Sequence, residues 1–274
     1  MSEQSASSTQ PADSFVQTLW TVHEGDEPLC AVAVHAGHDL REELARLIAI
    51  DEATRLREED PYTDYLAAVA PTRFVPHRSR FEVDLNRARD EAVYLGPEDA
   101  WGLPVWKASL PEAEIQRSLA EYDAYYAELG RLLDKLELRY GRFVIFDIHS
   151  YNHRRAGPHA PPADPAHNPD VNVGTGSMDR QRWAPLVDRF IADLRRFDYL
   201  GRHLDVRENV KFKGRHFARW VHAHYPQSAC VLSLEFKKIF MDEWTGAVDP
   251  DRLEALYEAL KSTLPGIAEE MARL

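Results

Sequence analysis

The sequence predicts an α/β fold, a three-layer α/β/α sandwich over a mostly parallel (mixed) sheet. Three observations carry that expectation. Residues 29–34, 143–148 and 229–236 are compact apolar runs, the pattern of strands covered on both faces. Segments of helical periodicity lie between them. The connections from run to run are long, as crossovers between parallel strands must be.

Taken in order, residues 1–13 are rich in Ser, Gln and Ala and read as a disordered tail. Residues 14–274 read as one domain, because no linker-like stretch divides them into halves with separate cores. Residues 15–22 alternate apolar and polar and suggest a first strand. The run at 29–34 is the second, and it ends in His35-Ala36-Gly37-His38-Asp39. Leu40, Leu44, Leu47 and Ile48 then predict one helix to about residue 57, which Pro61 would stop.

Residues 73–76 and 79–87 read as extended. In the second piece Phe81, Val83 and Leu85 alternate with polar residues, so a strand would put Arg80, Asp84 and Asn86 on one face. Residues 112–140 predict an amphipathic helix with Ile115, Leu119, Tyr122, Tyr126, Leu129, Leu133 and Leu136 on its apolar stripe. The third strand begins at Phe143 and runs into Asp147-Ile148-His149-Ser150-Tyr151. Residues 151–180 are proline-rich and without periodicity, the mark of a binding loop or lid. A helix at 184–197, a polar segment at 205–214, a short helix at 217–224, the last buried strand ending at Glu235, and a closing helix at 250–274 complete the chain. Trp101, Trp106 and Trp244 read as core or interface residues.

The chain has 274 residues and a formal net charge of −12. That balance argues against nucleic-acid and anionic-membrane partners, which need a basic surface. It leaves room for small anionic substrates, because a few arginines can cluster locally. Cys30 and Cys230 both lie in apolar runs and read as buried thiols of a reducing compartment. No apolar run approaches the roughly 18 residues of a membrane helix, and the N-terminus lacks a signal peptide's regions. A cytoplasmic protein is expected. Its oligomeric state is not legible.

Three apolar strands therefore end in ionisable residues: His35, the pair Asp147/His149, and Glu235. Asp147 and His149 are two apart, so they share a strand face. They form either a satisfied polar pair or part of a metal site, where a carboxylate orients an imidazole. Two histidines and a carboxylate with one open position are what a catalytic zinc requires, and a separate glutamate can serve as general base.

The order His35-Ala-Gly, then Arg80-Phe-Glu-Val-Asp-Leu-Asn86-Arg87, then Asp147-Ile-His149-Ser, then Asn209-x-Lys211-Phe-Lys213-Gly, then Leu234-Glu235 resembles the N-formylglutamate amidohydrolase family. The likeness spans residues from about 30 to 240. It implies a carboxypeptidase-like fold, one zinc ion, hydrolysis of an N-acylated acidic amino acid and a place in histidine degradation. It also implies His35 and His149 as metal ligands. The third ligand falls in Glu58-Glu59-Asp60, with Asp60 preferred, then Glu59, and His38 as a further choice. Glu235 would be the general base, Asp147 would support His149, and Arg80, Asn86, Arg87 and Lys213 would bind substrate. Lys213-Gly214-Arg215 stands where the family has Lys-Gly-Gly, which points to a different or more acidic substrate. A carboxypeptidase-type peptidase and a non-catalytic binding protein on the same fold are the alternatives.

Overall fold

The computed structural model describes residues 19–274. The expected N-terminal tail and the start of the first expected strand lie outside them. Seven strands form one mixed sheet among the described residues, in the order β1-β3-β2-β4-β7-β5-β6. They are β1 (Trp20–His23), β2 (Leu29–Val32), β3 (Thr72–Pro76), β4 (Phe143–Tyr151), β5 (Val171–Gly174), β6 (Val206–Glu208) and β7 (Ala229–Lys237). The central strands β3, β2, β4 and β7 are parallel. Antiparallel β1 and β5 flank that block, and β6 runs parallel to β5.

Alternation along the buried strands splits the core into two layers. Phe143 and Ile145 of β4 and Ala229 and Val231 of β7 face α4 (Glu112–Tyr140) and α6 (His216–His224). Val144, Phe146, Ile148, Leu232 and Leu234 face the other way. That side is covered by α3 (Thr63–Ala67), α5 (Ala184–Arg196), α7 (Pro250–Lys261) and α8 (Leu264–Arg273). Side chains two apart on β4 or β7 therefore share a layer, and Asp147, His149, Ser233 and Glu235 all project on the α4/α6 side.

Four departures from the sequence expectation have physical causes. The helix expected over 40–57 is two, α1 (Glu42–Leu47) and α2 (Glu52–Glu58). The backbone at 47–49 pairs instead with 105–107, and the Asp51 side chain caps α2 by accepting from the Thr54 N–H. Residues 79–87 are turns rather than a strand. There the Ser79 hydroxyl accepts from the Phe81 N–H and Asp84 Oδ1 from the Asn86 N–H, which draws backbone donors away from a ladder. The closing helix is broken between α7 and α8, where Pro265 sits in the first turn of the second helix. The proline-rich segment is not wholly irregular: it contains β5, whose Val171 and Val173 are buried against β7 partners.

Candidate active site

The carboxyl ends of β2, β4 and β7 converge at one edge of the sheet, where open α/β folds bind ligands. His35 lies three residues beyond β2, and its carbonyl accepts from the Asp60 N–H at 3.0 Å. That bond draws the turn after α2 across the end of the sheet. Lys238, just past β7 and fully buried, holds the same turn from the other side. Its ammonium donates to the carbonyls of Arg57 (2.7 Å) and Glu59 (2.8 Å), and burial pushes it down to about 8.

Asp60 is thereby placed between two buried imidazoles. Its Oδ2 lies 3.3 Å from His35 Nδ1 and 3.1 Å from His149 Nδ1. The second nitrogen of each ring meets another carboxylate: His35 Nε2 is 2.7 Å from Asp84 Oδ1, and His149 Nε2 is 2.9 Å from Asp147 Oδ1. A carboxylate oxygen only accepts, so each Nε2 carries a hydrogen, and without a cation each Nδ1 facing Asp60 carries one too; a bound metal would take the place of the Nδ1 hydrogens. Asn86 Nδ2 also approaches His149 Nε2, at 3.2 Å. Asn86 Oδ1 is fixed as the acceptor for the Phe217 N–H, so its amide nitrogen cannot be satisfied by a ring nitrogen that is itself a donor. That amide N–H is left to the cleft, which Asn86 lines.

His35, Asp60 and His149 can hold a metal ion, since one ligand atom from each lies within 4.8 Å of the others. The separations of 3.1 and 3.3 Å match the roughly 3.3 Å edge of a tetrahedron with ligands about 2.0–2.1 Å from its centre. The electrostatics of the three groups are coupled. Burial pushes Asp60 toward its neutral form, but hydrogen bonds from His149 and His35 outweigh it and hold the carboxylate well below the usual range. For His149, burial opposes the charged form, and Asp147 and Asp60 override it and raise it well above the ordinary imidazole value. The carboxylates behind the rings are anchored in turn. Asp147 accepts from Ser233 Oγ at 2.9 Å, and Asp84 from Arg80, Tyr94 and the Asn86 N–H.

Glu235 pairs in register with His149 on β4 and Asn172 on β5, so the three side chains form one row across the sheet. Burial pushes its carboxyl up to about 7, against the pull of His149. Such a group exchanges a proton near neutrality. It lines a cleft of about 90 Å³ together with His35, Asp60, Asn86 and His149. Ser150 Oγ and Asn152 Oδ1 are buried without a hydrogen-bond partner, and both residues line the same cleft. A buried polar atom left open at a cleft wall awaits a ligand.

The residues singled out in the sequence divide into two groups. His35, Asp60, His149, Asp147, Glu235, Asn86 and Arg80 gather at the cleft or directly behind it. Glu59 does not: its carboxylate takes the Ser79 hydroxyl and pairs with His38, which keeps both out of the metal cluster. Arg87 packs over the Tyr94 ring and donates to the Asp99 carbonyl, and Lys213 is exposed outside the cleft. Both lie in segments whose turns depend on distant contacts. Arg80 lines the cleft, but its guanidinium is committed to Asp84, Tyr94 and the Glu58 carbonyl. The Tyr151 hydroxyl at the end of β4 donates to the Pro169 carbonyl. Sequence reasoning missed Lys238 as the clamp on the Asp60 turn and read Trp101 only as a core or interface residue. Trp101 is 43% exposed and forms part of the cleft wall, with Arg80 at 4.8 Å and Arg155 at 5.9 Å over its ring. No local signal marks either residue, because both roles rest on contacts between remote segments.

The family model described as N-formylglutamate amidohydrolase matches residues 27–241. The chain is 27% identical over 224 residues to an N-formylglutamate deformylase of Pseudomonas putida, covering 76% of this chain and 78% of that one. It is 26% identical over 195 residues to an N-formylglutamate deformylase of Pseudomonas aeruginosa, covering 65% and 67%. The crystal structure of N-formylglutamate amidohydrolase from Ralstonia eutropha JMP134 superposes with a TM-score of 0.74 at 20% identity, over 93% of this chain and 98% of that one, and shares the fold. The match of the family model over most of the chain and the convergent strand ends lead to one conclusion: this chain belongs to the N-formylglutamate amidohydrolase family.

Proposed function

We propose that the chain is a metal-dependent amidohydrolase that removes a small acyl group, formyl foremost, from an amino acid carrying a carboxylate, such as N-formylglutamate. The observation that carries the reading is the pair of imidazoles whose Nδ1 atoms converge on Asp60 beside Glu235. Two imidazoles and a carboxylate, with no thiolate, suit zinc. A zinc ion bound there would supply a Lewis acid that polarises the scissile carbonyl and acidifies water.

The chain's own residues divide the remaining work. Asp84 and Asp147 keep the imidazoles in the tautomer that offers Nδ1 to the centre. Glu235 takes a proton from the attacking water as its oxygen adds to the acyl carbon. It then delivers that proton to the amine nitrogen as the C–N bond breaks, giving formate and the free amino acid. Asn86 offers its amide N–H to a substrate oxygen. Burial keeps bulk water from competing for these groups.

The test is formate release from N-formylglutamate by zinc-loaded protein, run beside a panel of N-acyl amino acids and peptides. Turnover of N-formyl dicarboxylates above peptides is expected. Cleavage of C-terminal residues from peptides with no release of formate would favour the carboxypeptidase-type reading, and binding without turnover of any of them would favour a non-catalytic role.

A further inference from the structure

Five cations line the cleft: Arg57, Arg80, Arg155, Arg215 and Lys238. Four are occupied by the protein. Arg80 is held by Asp84 and Tyr94, Arg155 by Glu58, and Lys238 by two carbonyls. Arg57 lies over the Trp244 ring at 4.2 Å with Glu58 beside it. The exposed Arg215 guanidinium makes no hydrogen bond or ion pair among the described residues, though its charge acts on Glu235.

The backbone around Arg215 is fixed, so its placement is not that of a loose surface loop. On one side Asn172, in the row with Glu235, accepts from the Lys211 and Phe212 N–H groups and donates to the Phe212 carbonyl. On the other, Asn86 accepts from the Phe217 N–H. Between them Gly214 adopts φ +88°, and a Cβ on Gly174 would come within 2.7 Å of the Gly214 nitrogen. Two glycines let this segment press against β5 and β7. Arg215 also stands at the N-cap of α6, where the helix dipole favours an anion.

We propose that Arg215 receives a substrate carboxylate remote from the scissile amide and so determines the preference for acidic substrates. The inference rests on the amidohydrolase reading above for the identity of the substrate, and on this chain's geometry for the residue. A guanidinium takes a carboxylate through two parallel N–H donors, and one with no protein acceptor gives up none to do so. Arg80, one of the two arginines that the family resemblance implies for substrate, would first have to leave Asp84, which holds His35.

The experiment uses full-length, zinc-loaded protein and two ligands without a scissile bond, glutarate and its neutral diamide. Calorimetry on wild type should detect glutarate. Arg215→Gln should weaken that binding roughly 10- to 100-fold, Arg215→Lys should restore part of it, and Arg219→Gln, an exposed cation one turn along α6, should leave it unchanged. With N-formylglutamate, Arg215→Gln should raise KM by a comparable factor with a smaller change in kcat, and the matching N-formyl diamide should lose nothing. Absence of glutarate binding in wild type, an unchanged Arg215→Gln variant, or equal losses on acid and amide would overturn the proposal. A wild type that binds glutarate through Arg215 but hydrolyses no N-acyl amino acid would overturn the function proposed above and leave Arg215 as the carboxylate receptor.

Discussion

Asp60 and Glu235 are both carboxylates at the same cleft, and their surroundings give them opposite protonation chemistry. Two imidazoles hold Asp60 well below the ordinary range despite burial, whereas burial carries Glu235 up to about 7. The first suits a permanent ligand and the second a group that takes and returns protons. Two substitutions separate the roles. Asp60→Ala removes a proposed ligand, and zinc content by elemental analysis should fall from about one ion per chain toward none, with activity lost in parallel. Glu235→Gln keeps size and hydrogen bonding but cannot take a proton. It should retain the zinc while turnover falls on the order of a hundredfold or more. A Glu235→Gln protein stripped of metal would make Glu235 a ligand, and an Asp60→Ala protein with full zinc would remove Asp60 from the centre.

At the scale of elements, α4 and the turns at 79–87 dock through a buried charge network. Arg41 bridges Glu82, Glu114 and Ser118, and Arg78 lies 3.4 Å from Glu82 and 3.5 Å from Glu121. Burial and the nearby Glu82 raise Glu121 to about 7, with Arg78 opposing. A carboxyl raised above its usual 4.5 contributes stability that is complete below 4.5 and is lost as pH rises through 7. Glu121→Gln should therefore raise Tm relative to wild type at pH 8, by about 2–4 °C per kcal/mol recovered. The gain should vanish near pH 5, and thermal scans at both pH values check it. The same region shows where the sequence was hard to read. In 79–87 the apolar set Phe81, Val83 and Leu85 and the polar set Glu82, Asp84 and Asn86 are all buried. Alternation there did not mean inside against outside, and polar side chains took the local N–H groups. By contrast β2, β4 and β7 were legible as uninterrupted apolar runs, and α4 as an amphipathic stripe that ends at Gly141 with φ +74°. Strands β5 and β6 were not, because short strands in polar segments are defined by partners far along the chain. The order among Asp60, Glu59 and His38 was not legible for the same reason: the placement of Asp60 depends on Lys238 and on the His35 carbonyl.

Across the whole molecule, the cluster joins the ends of two paired strands to the turn after α2. His35 follows the second strand in the chain, Asp60 the turn after α2, and His149 the end of the central strand β4. Without a cation, three carboxylates and two imidazoles share one dry place, and protons have to neutralise it. An ion bound only by the folded chain adds stability that grows with its free concentration, about 2.7 kcal/mol at a hundred times Kd. For a chain of this size that corresponds to a Tm difference on the order of 5–10 °C between zinc-loaded and chelator-treated protein. Acid should erase the difference, because the imidazoles must shed their protons for the metal to bind. A His35→Ala/His149→Ala double variant supplies the control: its Tm should not respond to added zinc, and should lie near or below that of the chelated wild type. Equal zinc-induced shifts in wild type and double variant would mean that the ion stabilises the fold from somewhere other than the end of β4. No shift in either, with zinc shown to be bound, would mean that the unfolded chain binds the ion as tightly as the folded one.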